Sequence, residues 1–160
     1  MSCDGLTCSR ILCTLLLGTT IMPARDLYHR TVVRALTADG WEITHDPLTV
    51  SFGGRDLHVD LGATNTTIGA TRHGEQIAVE IKSFVHPSPV RDLEDAVGQY
   101  VIYRGVLSQI EPGRSLYLAV PQRVFEGIFA ERLGQMVISN QAMRIVVFDE
   151  IRERIDRWIP

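Results

Sequence analysis

The chain predicts a mixed central sheet flanked by helices, in the α/β or α+β class, and three observations lead there. Two segments, beginning near residues 24 and 89, repeat apolar side chains at helical spacing. Between them lie short extended runs punctuated by Asp-Pro and Gly-Gly. After the second helix come an apolar strand, another helical segment and two short strands, so both element types alternate along one chain.

The first helix is read over residues 24–39, "ARDLYHRTVVRALTAD", where Tyr28, Val32, Val33, Ala35 and Leu36 share one arc and Gly40 supplies the stop. His29 falls inside that arc and Arg30 and Arg34 outside it, so the imidazole is predicted to point inward and to meet a polar group. Trp41 to Phe52 reads as extended chain interrupted at Asp46-Pro47, whose aspartate is most simply turn chemistry. Gly53-Gly54 signals a hairpin. "DLHVDLGA", residues 56–63, reads as one strand with Leu57, Val59 and Leu61 on one face and Asp56, His58 and Asp60 on the other. "TNTTIGATR" is expected to form a further strand, with "HGEQ" turning into "IAVEIKSFV". The result is a meander of three or four strands.

Ser88 before Pro89 predicts a helix start, a capping hydroxyl followed by proline in the first turn, and the helix runs to Ile110 before "EPG". Val90, Leu93, Val97, Tyr100, Val101 and Leu107 are its expected apolar stripe. "SLYLAVP" is a buried strand, "RVFEGIFAERLG" a single helix, and "MRIVVFDE" and "RIDRWIP" a pair of strands joined at Asp149–Glu150.

With 160 residues there is room for one domain with a substantial core. Hydrophobic residues are 45% and charged residues 22% of the chain, an ordinary globular balance. The net charge of −3 argues against a protein that coats DNA nonspecifically. All three cysteines, Cys3, Cys8 and Cys13, fall within residues 1–21, so disulfides and cysteine zinc sites are excluded from the rest. Residues 1–21 are expected to be an upstream extension, disordered or loosely packed, or the product of a misassigned start. The domain then covers residues 22–160, beginning at Met22. A secretory signal is the competing reading, and Asp4 speaks against it; the apolar run from Ile11 to Leu17 is too short to span a bilayer. A cytoplasmic protein without a membrane span is therefore expected.

One stretch carries chemistry. In "QIAVEIKSFV", residues 76–85, two opposite charges interrupt an apolar strand, and alternation sets Glu80 and Lys82 on one face against Ile77, Val79 and Ile81. The meander can bring Asp60 beside them. Two carboxylates with the Ile81 carbonyl form a set of hard oxygens suited to Mg²⁺ or Mn²⁺. A lysine alongside can orient a water or support a phosphate. The same residues also admit a plain structural reading: Glu80 and Lys82 as an ion pair on a solvated face, Asp60 as a strand-end acid, His29 and Gln99 as hydrogen-bonded polar residues. The acidic "RDLEDA" reads as a solvated helix face near a favourable helix N-terminus.

"RDLYHRTVVRAL", "DGWEITHDPL", "DLGA", "IAVEIKSF", "VRDLEDAVGQY", "LYLAVP" and the closing "VFD…WIP" occur in the order seen in one family. From Met22 to Pro160 the chain closely resembles the XisH family, the fdxN element excision controlling factor proteins of cyanobacteria and other bacteria. That resemblance implies a restriction-endonuclease-like core of helix, three-strand meander, helix and strand. It also implies a D…(E/D)xK site at Asp60, Glu80 and Lys82, with Gln99 as the polar residue of the following helix. Two departures stand out. Asp60 is preceded by Val59 rather than proline, and where the first helix commonly holds an acid this chain has Asp26 and the inward His29.

The resemblance further implies DNA, a small XisI-like companion protein and a site-specific recombinase as partners. The leading expectation is Mg²⁺-dependent cleavage of DNA in element excision, with Asp60 and Glu80 on the metal, Lys82 at the water or phosphate, and Gln99 and His29 orienting the site. The competing expectation is a non-catalytic accessory that keeps the nuclease fold and binds DNA or protein. A scaffold acting through oligomers, homomeric or mixed, is a third; the apolar "RVFEGIFAERL" segment serves an interface as well as a core.

Overall fold

The computed structural model describes residues 27–65 and 74–160. The upstream extension, Asp26, the first residues of the expected first helix and most of "TNTTIGATR" lie outside them. Twelve elements follow one another: α1 His29–Ala38, β1 Trp41–His45, β2 Leu48–Phe52, β3 Arg55–Val59, β4 Leu61–Asn65, β5 Gln76–Ile81, α2 Pro89–Ile110, β6 Arg114–Pro121, α3 Gln122–Glu126, α4 Arg132–Gln141, β7 Ile145–Asp149 and β8 Arg154–Ile159. Six strands form one mixed sheet in the order β1-β4-β5-β6-β7-β8, and β2 with β3 forms a separate hairpin. β5, β6 and β7 run parallel, while the pairings of β1 with β4, β4 with β5 and β7 with β8 are antiparallel. The expectation of a mixed α+β domain with flanking helices holds.

Alternation along the strands builds two cores. On one face Leu61, Ala63, Ile77, Val79, Ile81 and Phe148 pack with Val32 and Leu36 of α1. On the other, Ala78, Leu116, Leu118, Ile145 and Val147 meet Leu93, Ala96, Tyr100 and Leu107 of α2, and the hairpin adds Leu48, Val50 and Val59. β5 is central and covered on both faces, which is why it reads as a near-continuous apolar run.

Local signals are realised closely at several points. The Ser88 hydroxyl accepts from the Arg91 N–H at 3.4 Å at the head of α2, with Pro89 in the first turn. Gly53 and Gly54 turn the β2–β3 hairpin, both with positive φ. Gly40 follows α1 with φ of 92°.

Four expectations need correction. "DLHVDLGA" is not one strand: it bends at Asp60, so β3 and β4 enter different sheets and the meander carries an inserted hairpin. "RVFEGIFAERLG" is not one helix: the chain turns over residues 127–130, and a new helix, α4, continues to Gln141. Val90 and Val101 lie in the exposed margin of α2, and Ala96 and Val106 take their place in the core. Leu133, which a single helix would set in apolar step with Val124, Phe125, Ile128 and Phe129, is also exposed, since the break re-aims α4.

The break explains an unusual demand on Gly134. A Cβ there would lie 2.2 Å from the Ile128 carbonyl oxygen and 2.5 Å from the Phe129 Cα, because the 127–130 turn crosses close over α4. A Cβ on Gly98, in the middle of α2, would meet nothing within 4 Å. Alanine at Gly98 is expected to stabilise the protein by ~0.5–1 kcal/mol through helix propensity. Alanine at Gly134 should destabilise it by ~2–3 kcal/mol through overpacking against backbone. Urea denaturation of the two variants checks the opposite signs.

Candidate functional site

Glu80 lies near the end of β5, on the sheet face that α2 covers, and is only 4% exposed. The β4–β5 register, Leu61 opposite Val79, carries Asp60 to the place facing Glu80 just as the chain bends away into the hairpin. The Asp60 carboxylate accepts the Ile81 N–H at 2.8 Å, taking the place of the next backbone partner. A strand residue directs its N–H and C=O to the same side, so the Ile81 carbonyl is directed that way too. Lys82 is one residue past the strand, with Nζ 3.5 Å from Glu80 Oε1. Three residues named from the sequence thus converge: Asp60, Glu80 and Lys82. Their setting is a covered sheet end rather than the solvated face of a plain surface ion pair.

The charges are not balanced locally. Burial, reinforced by the Asp60 charge, pushes the Glu80 carboxyl up to about 8, although Lys82 and the Asp60 backbone pull the other way. Glu80 Oε2 is buried and accepts no hydrogen bond. An unpartnered buried carboxylate oxygen beside a second acid fits a hard cation, which would offset both the burial cost and the mutual repulsion. Among the described residues no group of three or more His, Cys, Asp or Glu gathers as a metal site, so such a cation would rest on Asp60, Glu80 and the Ile81 carbonyl.

α2 supplies the wall above the acids. Gln99 is partly buried, and its Oε1 has no partner. One turn further on is Tyr103, which the sequence reading missed. Its hydroxyl is pushed up by burial and by the negative charges of Glu80 and Asp60, while a hydrogen bond from Gln99 opposes this. The spacing of four from Gln99, which puts both on one helix face, was the signal available.

His29 stands apart from this group. It is buried as predicted, but on α1, which packs against the opposite face of the sheet from Glu80. The polar group it meets is Asp46, 3.0 Å from Nε2. Its Nδ1 is buried without a hydrogen bond. Asp46 therefore does more than start a turn.

A family model described as XisH protein matches residues 22–156. The chain belongs to the XisH family. Two crystal structures resemble it closely. An XisH family protein from Nostoc punctiforme PCC 73102 is 38% identical with a TM-score of 0.77, covering 84% of this chain and 100% of its own. An fdxN element excision controlling factor protein from Anabaena variabilis is 39% identical with a TM-score of 0.76, covering 85% and 100%. Among curated proteins nothing matches. No helix among the described residues of this XisH chain is long and apolar enough to cross a membrane.

The raised Glu80 gives a testable pH dependence. Between its ordinary 4.5 and about 8 the folded protein holds a proton that the unfolded chain has released. Stability relative to Glu80→Gln is therefore expected to fall as pH rises through that interval and to level off above it. The total is on the order of a few kcal/mol. Urea midpoints of both proteins in metal-free buffer test this, and a difference that does not move with pH would place Glu80 at its ordinary value.

Proposed function

We propose that this XisH chain is a metal-dependent DNA phosphodiesterase, built on a restriction-endonuclease-like core, that works in the control of element excision. The observation that carries the reading is the buried, unpartnered Glu80 Oε2 set between Asp60 and Lys82. The excision role rests on the name of the Anabaena relative.

In this reading Asp60, Glu80 and the Ile81 carbonyl hold one Mg²⁺ or Mn²⁺. When bound, that ion supplies charge neutralisation at the scissile phosphate and a more acidic water. Lys82, released from Glu80, places its ammonium against the attacking water or the phosphate oxygens. Gln99 and Tyr103 close the α2 side, exclude bulk solvent and offer hydrogen bonds to a phosphate or water. His29, held by Asp46, acts through the opposite layer by fixing the β1–β2 junction rather than by touching substrate. DNA is the substrate, and an XisI-like companion and a recombinase are the partners of the pathway.

A second reading has its own support. Because burial and Asp60 keep Glu80 largely protonated at neutral pH, and Oε1 rests against Lys82, the site is tolerable without a cation. The protein would then be a non-catalytic accessory that binds DNA or the companion through the same fold.

Two measurements separate the readings. With Mg²⁺ or Mn²⁺ on nicked, branched and supercoiled DNA, wild type is expected to cleave. Glu80→Ala should abolish cleavage, and Lys82→Ala should lower it by about 10²–10³-fold. Cleavage that survives both substitutions would remove the mechanism, and a wild type inert on every substrate would leave the accessory. Calorimetry in buffers of different ionisation enthalpy is the second. Mg²⁺ binding near pH 7 should release about one proton per chain, since Glu80 must ionise to ligate, and Glu80→Gln should release none.

A further inference from the structure

At the other end of β6 from Glu80 lies a cavity of about 610 Å³ between the C-terminal parts of α2 and α4. Glu80 sits opposite Leu118, whereas the cavity borders Ser115 and Leu116, roughly 10 Å back along the strand. It is therefore distinct from the acidic site and independent of the reading proposed for it.

Its polar groups converge on Tyr100. The Arg104 guanidinium lies 5.5 Å from the Tyr100 ring centre and donates one N–H to the Gln141 carbonyl at the end of α4. Arg144 donates its backbone N–H to the Tyr100 hydroxyl at 2.9 Å, and its guanidinium to the Ser115 hydroxyl. Both positive charges act on the Tyr100 hydroxyl, against the burial that raises it. Neither arginine has an ion-pair partner among the described residues, and no Asp or Glu side chain lines the cavity; Pro160, the last residue of the sequence, borders it with its main chain. Arg114, by contrast, is committed to Glu111 at 2.6 Å and to the Ile77 carbonyl at 3.0 Å.

Two guanidiniums without an ion pair thus border one cavity. Capping α4 uses one of Arg104's five donors, and Ser115 engages one nitrogen of Arg144; the remaining donors are available to an anion. Ser108 and Ser139 add hydroxyls at the wall, and Leu107, Ile138 and Met143 add an apolar side. Forked donors with hydroxyls suit a tetrahedral oxyanion that accepts several hydrogen bonds. The volume is in the range of small-ligand sites and exceeds what a bare phosphate fills. We propose that this cavity binds a phosphate monoester of mononucleotide size through Arg104 and Arg144. Its source is a free nucleotide or the 5′-phosphorylated end of a DNA strand.

The experiment titrates the full chain by calorimetry with inorganic phosphate, adenosine monophosphate, and one short single-stranded oligonucleotide with a 5′-phosphate or a 5′-hydroxyl. Adenosine monophosphate or the 5′-phosphorylated strand is expected to bind, more tightly than inorganic phosphate and than the 5′-hydroxyl strand. Arg144→Gln, a change at an exposed side chain, should weaken binding about tenfold or more. Arg104→Gln should do the same, with circular dichroism confirming that α4 remains folded. Glu80→Gln should leave it unchanged, which separates this site from the acidic one. Binding of the strand without the nucleotide assigns the DNA end as the source, and the reverse assigns the free nucleotide. No binding at millimolar concentration, equal binding of the 5′-phosphate and 5′-hydroxyl strands without the nucleotide, or binding unaffected by Arg144→Gln would overturn the proposal.

Discussion

The Asp60 carboxylate accepting the Ile81 N–H is the contact on which the site's geometry depends. At that point β4 has just begun, and the chain before it has left the main sheet for the β2–β3 hairpin. A central strand that outruns its neighbour exposes an unpaired N–H at a covered position, which is costly unless another acceptor reaches it. A carboxylate at the bend meets that need and fixes where the bend falls. It also holds the hairpin's return so that Leu48, Val50 and Val59 lie in the core that α2 covers. The acid is therefore structural, and the same placement sets it against Glu80.

Once Asp60 is there, the electrostatics of Glu80 follow. β5 is covered on both faces, so Glu80 cannot turn to solvent. Its carboxyl must hold a proton, find a cation or lean on Lys82, and the distance of 3.5 Å to Nζ shows how loosely the last of these is met. Tyr103 reports the same field from the helix side, its hydroxyl pushed up by burial and, after that, by the charges of Glu80 and Asp60. The like-charge pressure of Asp60 on Glu80 separates this group from surface pairs such as Arg34 with Glu153 or Arg157 with Asp156.

How much of this was legible varied with the range of the physics involved. Ser88-Pro89, Gly53-Gly54 and Gly40 act within a few residues, and each marks its element where the structure has it. The alternation in "IAVEI" assigned Glu80 and Ile81 to opposite faces because β5 is regular throughout. The bend at Asp60 was hidden because "DLHVDLGA" alternates without a break, and only pairing with a distant strand shows that its halves belong to different sheets. The division of "RVFEGIFAERLG" was hidden for a similar reason. Its apolar spacing is continuous, but α4 packs through Gly134 against backbone, which side-chain periodicity does not encode. His29 was correctly turned inward, yet its partner Asp46, seventeen residues away, could be found only once β1 had folded beside α1.

The placement of the acids also follows from the parallel part of the sheet. β5, β6 and β7 run the same way, so Ile81, Pro121 and Asp149 end at one edge, the edge where parallel sheets usually present their ligands. Arg123, just after β6, donates to the Ser83 carbonyl at 2.6 Å and approaches Glu150 at 3.6 Å, tying the loop after Lys82 to the end of β7. Loops normally carry the mobility of such an edge, but here the loop that begins at Lys82 is clamped by an arginine of α3, just past the neighbouring strand. An ammonium that had to find its position by chance would lose conformational entropy on every encounter; one leaving a braced backbone loses less. The edge is thus preorganised on its cationic side and strained electrostatically on its anionic side. That asymmetry supports the reading proposed for the site, a cation held by the acids and a phosphate met by the ammonium.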